Sequence, residues 1–83
     1  MRVEFDPAKD KANVEKHGVS LARAVDLSDV LVVRDNRFEE LRFRLYGLID
    51  GAWFCAAVTV RDDAVRVISL RRAHLKEVRR YES

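Results

Sequence analysis

The chain has 83 residues, a length that fits one domain over residues 1–83 and is short for two, since independent domains usually run to about 100 residues or more. Hydrophobic residues make up 48% of the chain against three Gly and one Pro, a composition that favours a folded core over a disordered chain. One Cys excludes an internal disulfide, and no apolar run reaches the roughly 20 residues of a membrane span, so we expect a cytoplasmic protein with no membrane association.

Positive charge is concentrated in the last quarter of the chain. Residues 1–60 carry nine Lys and Arg against ten Asp and Glu, whereas residues 61–83 carry seven against four. A basic surface of this kind is typical of proteins that bind phosphates or an acidic partner. A domain of this size buries only roughly 60 to 65% of its unfolded surface, so we also expect a partner chain to add stability.

The first third of the sequence predicts a short strand and two helices. Polar and apolar residues alternate over residues 2–6, as they do in a strand. Asp6 then serves as an N-cap, Pro7 takes the first helical position and Gly18 ends the helix. A second helix is predicted to start after a cap at Ser20.

From residue 30 onward the apolar pattern has a period of two, which indicates strands. The predicted strands cover residues 30–33, 41–49, 52–61 and 64–71. Asp50 and Gly51 predict a type I′ hairpin turn between the second and third of them, and a last helix begins near His74. The order β-α-α-β-β-β-β-α predicts an α+β fold, an antiparallel meander with two N-terminal helices and one C-terminal helix packed on one face.

Strand alternation assigns the charged side chains to faces of the sheet. One face of the strand over 41–49 carries Arg42, Arg44 and Tyr46. We expect this face to be solvated and cationic. Arg71 and Arg72 end the last strand and point to opposite faces, so we expect one of them, and not both, to lie beside Arg61.

Three stretches of the chain, in order and at fixed spacing, match a known family pattern. They read FDPAKDKANVEKHGV, RFRLYGLIDG and VRVISLRRAHLKEVRRYE. The matching positions are Phe5, Asp6, Lys9, Asn13, Lys16, His17, Gly18, Arg42, Phe43, Gly47, Ile68, Ser69, Arg71, Arg72, Ala73, Tyr81 and Glu82. Together they resemble the BrnT family, the ribonuclease toxins of BrnT–BrnA type II toxin–antitoxin pairs, over nearly the whole chain.

The resemblance implies a RelE-like α+β fold and an endoribonuclease that cleaves RNA without a metal or other cofactor. It also implies a hetero-oligomer with a BrnA-like ribbon-helix-helix antitoxin, which neutralises the toxin and alone contacts operator DNA. The chain departs from the family where members often have Tyr-Thr-Glu-Arg, since Val58, Thr59, Val60 and Arg61 stand there. The missing carboxylate leaves open a second function, a catalytically impaired basic module that docks an antitoxin or RNA. A third alternative is a structural subunit with no nucleic-acid role.

Cleavage through the 2′-OH of RNA needs a base, cations for the pentavalent phosphate and an acid for the leaving oxygen. The planar fork of arginine suits phosphate, so Arg61, Arg71 and Arg72 are the candidate catalytic cations. His17 is the candidate acid or base, unless its imidazole only complements the dipole at the helix end. The other titratable choices are Lys9, His74, Glu77 and Tyr81. The candidate RNA-binding residues are Lys9, Arg42, Arg44, Lys76, Arg79, Arg80 and Tyr81. The two His and one Cys are spread along the chain and show no metal-ligand spacing.

Overall fold

A computed structural model describes residues 2–81 as a five-stranded sheet between two helical layers. The elements are β1 (Arg2–Glu4), α1 (Pro7–His17), a 3₁₀ helix (Leu21–Asp26), β2 (Ser28–Arg34), β3 (Arg42–Ile49), β4 (Ala52–Arg61), β5 (Ala64–Arg72) and α2 (Leu75–Tyr81). The strand order is β1-β5-β4-β3-β2. Glu82, part of the family resemblance, lies outside the described residues. The α+β prediction is confirmed.

The first helix has the predicted ends. The Asp6 side chain accepts a hydrogen bond from the backbone N–H of Ala8 at 2.8 Å, and Pro7 follows at the start of α1. Gly18 adopts a left-handed conformation with φ 73°, and its N–H donates to the Val14 carbonyl at 2.8 Å. Local cap chemistry therefore fixes both ends of this helix, as the sequence predicts.

The second predicted helix is a 3₁₀ helix, which corrects the α-helix prediction. Ser20 caps it as predicted, and Asp10 of α1 also accepts the backbone N–H of Leu21 at 2.7 Å. Leu21 is fully buried against the sheet, and the helix stops after six residues where the chain turns into β2. The 3₁₀ geometry is common for so short a segment.

The sheet is mixed rather than purely antiparallel. Strands β2 to β5 pair antiparallel in sequence order, as the meander prediction requires, and β1 adds a parallel pairing with β5. The turn at Asp50 and Gly51 has φ of 51° and 79°, both positive as a type I′ turn requires. Asp62 and Asp63 form the next turn with φ of 50° and 63°.

A β-bulge interrupts β5 at Ile68. Its neighbours Val67 and Ser69 pair with two consecutive residues of β4, so Ile68 is an extra residue without a direct partner. The bulge inverts the alternation of β5 at this point. Arg66 consequently shares a face with Ser69 and Arg71, whereas strict alternation predicted it on the opposite face.

The helices cover both faces of the sheet, which corrects the prediction that they pack on one. Helix α1 and the 3₁₀ helix lie over the main core, whose buried members are Leu21, Ile49, Ala56, Val58, Val67 and Leu70. Helix α2 lies on the other face, where its Tyr81 ring stands 5.5 Å from Tyr46. Tyr46 is fully buried rather than solvated because α2 covers it. Val78 of α2 is buried, whereas Leu75 is 66% exposed.

Asn13 joins α1 to the outer edge of β5. Its side-chain amide donates to the Leu70 carbonyl at 2.8 Å and accepts the Leu70 N–H at 3.2 Å, and it also donates to the Val19 carbonyl at 2.8 Å. The Asn13 side chain is buried, so these three bonds satisfy a polar group that would otherwise be costly to desolvate. They fix the distance between α1 and β5.

Gly47, one of the family positions, is required by close packing. A Cβ at this position would lie 3.0 Å from the carbonyl oxygen of Ser28 and 3.1 Å from Cβ of Leu27. Any side chain would therefore push the start of β2 away from β3. No helix within residues 2–81 is long and apolar enough to cross a membrane.

Candidate active site

The sheet face opposite α1 carries several of the predicted site residues, and we call it the cationic face. Strand register places on it Arg42, Arg44, Thr59, Arg61, Arg66, Ser69 and Arg71. Thr59 lies between Arg42 and Arg66, which pair with it from β3 and β5. Arginines from three adjacent strands therefore converge on one face, and they fall into two groups with different surroundings.

The first group, which we call the tyrosine–glutamate network, consists of Arg44, Tyr46, Arg71, Glu77 and Tyr81. Arg71 donates to the Glu77 carboxylate through both terminal nitrogens, at 2.8 and 3.0 Å. The Tyr46 hydroxyl donates to the same carboxylate at 2.9 Å. Arg44 in turn donates to the hydroxyls of Tyr46 and Tyr81, at 3.2 and 3.3 Å. These bonds fasten α2 to the sheet.

Glu77 is held in its ionised form by this network. The Arg71 hydrogen bonds, helped by the backbone N–H of His74 and the Tyr46 hydroxyl, lower the pKa of Glu77 from 4.5 to about 2 against the opposing effect of burial. Burial, followed by the hydrogen bond to Glu77, raises the pKa of Tyr46 above its ordinary range. A carboxylate with a lowered pKa is a poor proton acceptor, and a phenol with a raised pKa is a poor proton donor, at neutral pH.

The second group surrounds a pocket of about 140 Å³, which we call the anion pocket. It is lined by Lys9, Glu40, Arg42, Thr59, Arg61, Arg66, Val67 and Ile68. Four of these side chains are cationic and one is acidic. The acid, Glu40, accepts from Arg42 at 2.6 Å. The pocket therefore keeps an excess of positive charge.

Arg61 and Arg66 differ from the arginines of the network because they are exposed and weakly paired. Arg66 has only a long contact with Glu4, at 3.9 Å, and Arg61 has no ion pair within residues 2–81. An arginine without a carboxylate partner is available for an external anion, and its fork can contact two phosphate oxygens at once. The anion pocket is thus suited to bind a phosphate group.

A shallower cleft of about 280 Å³, which we call the α1 cleft, adjoins the anion pocket. It lies between α1 and the bulged part of β5, and its lining includes Lys9, Ala12, Lys16, His17, Ile68 and Ser69. Lys9 and Ile68 line both depressions, so the two lie side by side. The bulge at Ile68 thus stands at their common wall.

The structure brings some of the predicted site residues together and separates others. Arg61, Arg42 and Lys9 meet in the anion pocket, and His17 lies in the α1 cleft beside it. Arg44, Arg71 and Tyr81 belong to the tyrosine–glutamate network. Lys76, Arg79 and Arg80 are exposed on α2. Which of these residues act on RNA stays a prediction.

Arg72 is separated from the other candidates by the sheet itself. Its guanidinium lies 5.5 Å from the centre of the Phe54 ring on the α1 side, whereas Arg71 shares the cationic face with Arg61. The sequence predicts that only one of these two arginines lies on the face of Arg61. The strand register shows that this arginine is Arg71.

Arg66, Thr59 and Glu40 are pocket residues that the sequence reasoning did not select. The signal for Arg66 was present, because a two-residue turn at Asp62 and Asp63 sets the hairpin register and places Arg66 opposite Thr59. Thr59 is buried and lines the pocket. Glu40 comes from an irregular segment with no sequence signal for its position.

The departure from the family pattern around residue 60 lies outside the anion pocket. Val58 is buried in the main core, and Val60 pairs with Val65 on the α1 side of the sheet. A carboxylate at position 60 would therefore point away from Arg61. Cys55 is buried, and desolvation raises the pKa of its thiol, as expected of a packed residue rather than a nucleophile. Within residues 2–81, no three His, Cys, Asp or Glu side chains are grouped to hold a metal ion.

Comparison with known proteins gives one family and one solved structure. The family model described as the ribonuclease toxin BrnT of type II toxin–antitoxin systems matches residues 5–77. The fold is similar to the crystal structure of the Brucella abortus ribonuclease toxin BrnT, with a TM-score of 0.74 and 24% sequence identity over 89% of this chain and 97% of that chain. At this identity the structural match shows the fold alone. No curated protein matches the sequence.

Proposed function

The chain belongs to the BrnT family of ribonuclease toxins, and on this premise we propose that it is a metal-independent endoribonuclease whose cleavage of RNA inhibits translation and growth. The observation that carries the proposal is the anion pocket. Its four cationic side chains face a single carboxylate, and Arg61 is exposed there without an ion pair within the described residues. An RNA phosphate would supply the missing negative charge.

The cleavage step needs positively charged side chains beside the phosphate, because the phosphate gains negative charge in the transition state. The 2′-oxygen attacks the neighbouring phosphorus while its proton passes to a base, and the 5′-oxygen leaves with a proton from an acid. Charge builds up on the two non-bridging oxygens of the pentavalent phosphate in between. In the proposal Arg61, supported by Arg42 and Arg66, contacts these oxygens more strongly in the transition state than in the ground state.

Proton transfer is assigned to the α1 cleft rather than to the network. The low pKa of Glu77 and its two bonds from Arg71 remove it as an acid, and Tyr81 receives a hydrogen bond from Arg44. His17 and Lys9 are exposed beside the anion pocket and are not engaged by a carboxylate within residues 2–81. Histidine exchanges protons near neutral pH, so His17 is the first choice for the base.

Family membership implies an antitoxin partner, because the family belongs to type II toxin–antitoxin systems. We propose a BrnA-type ribbon-helix-helix antitoxin that forms a hetero-oligomer with this single RelE-like domain in the cytoplasm. Operator DNA would be bound only by the antitoxin. The exposed cations of α2, Lys76, Arg79 and Arg80, remain available for the antitoxin or for RNA outside the anion pocket.

Induced expression of the chain without its antitoxin tests the enzymatic proposal. We expect the wild type to arrest growth and fragment RNA, and Arg61→Ala to lower the cleavage rate of a purified sample roughly a hundredfold or more. Arg34→Ala is the matched control, since Arg34 is an exposed arginine at the end of β2, outside the pocket. Addition of EDTA should leave cleavage unchanged.

Two results would contradict the enzymatic proposal. A folded wild type that neither arrests growth nor cleaves RNA, yet binds it, would leave the binding-module function in its place. Equal loss of cleavage in the Arg61 and Arg34 variants would show that overall charge, rather than the pocket, governs the activity.

A further inference from the structure

The α1 cleft has the size and surroundings of a subsite for one small group. Its volume of about 280 Å³ lies just under the roughly 300 to 1,000 Å³ of pockets that hold drug-sized ligands. Ala12 of α1 and Ile68 of β5 give it two apolar walls from opposite elements. His17, Lys16 and Ser69 add polar groups to the same lining. A planar group with apolar faces and a polar edge matches this mixture.

The walls of the cleft are held in place before any ligand arrives. Asn13 lies in the same wall, is 6% exposed, and ties α1 to Leu70 through a pair of hydrogen bonds at 2.8 and 3.2 Å. The bulge fixes Ile68 on the facing side. A cleft that keeps its width in the free protein loses little entropy when it is filled.

The position of the cleft suggests what fills it. Lys9 and Ile68 line both the cleft and the anion pocket, so the cleft is within reach of the chemical group next to a phosphate bound in the pocket. In RNA that group is a ribose and its base. Nucleobases combine two apolar faces with an edge of hydrogen-bond donors and acceptors, which proteins read by contact with both.

We propose that the α1 cleft is a nucleobase subsite, which receives one unpaired base of the RNA whose phosphate occupies the anion pocket. The inference rests on the proposed function for the identity of the ligand as RNA. It adds that the protein selects its cleavage position by the fit of a base between Ala12 and Ile68, with the ribose lying over Lys9. Double-stranded RNA would be excluded, because its bases are stacked and paired.

The experiment measures binding of an RNA oligomer that cannot be cleaved. A 2′-fluoro oligoribonucleotide lacks the attacking hydroxyl, and a matched oligomer of abasic spacers has the same phosphates without bases. Binding of both is followed by fluorescence anisotropy for the full chain and two variants. Ala12→Leu fills the cleft, and Ala8→Leu makes the same substitution at an exposed position of α1 outside the cleft.

We expect the wild type and Ala8→Leu to bind the base-bearing oligomer about tenfold more tightly than the abasic one. Ala12→Leu should bind the two about equally, at the affinity of the wild type for the abasic oligomer, with an unchanged thermal midpoint. Equal binding of both oligomers by the wild type would overturn the subsite, as would a preference that survives in Ala12→Leu. A wild type that shows the preference but does not cleave natural RNA would overturn the proposed activity and leave the subsite standing.

Discussion

The tyrosine–glutamate network and the anion pocket lie on one face of one sheet and are built from the same residue type, but their arginines are used differently. In the network, Arg71 is partly buried, and both of its terminal nitrogens contact Glu77. In the anion pocket, Arg61 is exposed and has no carboxylate partner within residues 2–81. The charge of Arg71 is thus neutralised by a carboxylate of the same chain, whereas the charge of Arg61 is not neutralised within residues 2–81.

This difference shows that arginine content alone does not locate a phosphate site. A guanidinium that already binds a carboxylate in a bidentate fork must break those bonds before it can bind phosphate. The network therefore contributes to folding, since it fastens α2 over Tyr46, while the unpaired arginines of the anion pocket are available for the proposed binding of RNA phosphate. Mutations should separate the two contributions.

The largest effect on stability is expected from Glu77→Ala. This change leaves Arg71 and Tyr46 without their shared acceptor, so the free energy of unfolding should fall by about 2 to 3 kcal/mol. Urea denaturation measures it, with Glu15→Ala as a control because Glu15 is exposed on α1. An equally small change in both variants would show that α2 is not held by the network.

Acid should weaken the network within a defined pH window. The folded-state pKa of Glu77 is about 2 against an ordinary 4.5, so the unfolded chain binds this proton more readily. Its stabilising contribution is therefore complete above about pH 4.5 and is lost as the pH falls towards 2. Asp35, whose pKa Arg37 lowers to about 2, adds to the same trend.

Comparison with Glu77→Gln isolates the part due to Glu77, since this variant keeps Asp35. The difference in unfolding free energy between wild type and variant, followed by urea titrations from pH 6 to pH 2.5, should shrink as the pH falls. A constant difference over this range would mean that the carboxylate is not preferentially ionised in the folded state.

The smallest expected effect is on the salt dependence of RNA binding. Removal of one phosphate contact by Arg66→Ala should lower the slope of log affinity against log salt by about 0.7, the value for a single-stranded ligand. Arg71→Ala should lower stability but leave the slope unchanged, because Arg71 contacts Glu77 instead of phosphate. If Arg71→Ala changes the slope as much as Arg66→Ala does, the distinction between the two groups is wrong.

The parts of the fold that local chemistry determines could be predicted from the sequence. Helix α1 lies between its cap at Asp6 and the left-handed Gly18, and the hairpin at Asp50 and Gly51 has the predicted turn. Each of these features depends on residues that are neighbours in the chain.

The parts that depend on distant contacts could not be predicted. The bulge at Ile68 has no local signature, yet it decides that Arg71, and not Arg72, shares the face of Arg61 and Arg66. The side of the sheet on which α2 lies depends on bonds between Glu77 and two residues far along the chain, Tyr46 and Arg71.

Asn13 has a consequence for the solution behaviour of the protein. Strand β1 covers the outer edge of β5 only as far as Arg66, and an uncovered strand edge is a template for pairing with another molecule. The Asn13 amide presents to Leu70 the same donor and acceptor that a further strand would present. One side chain thus occupies this part of the β5 edge and prevents a further strand from pairing with Leu70.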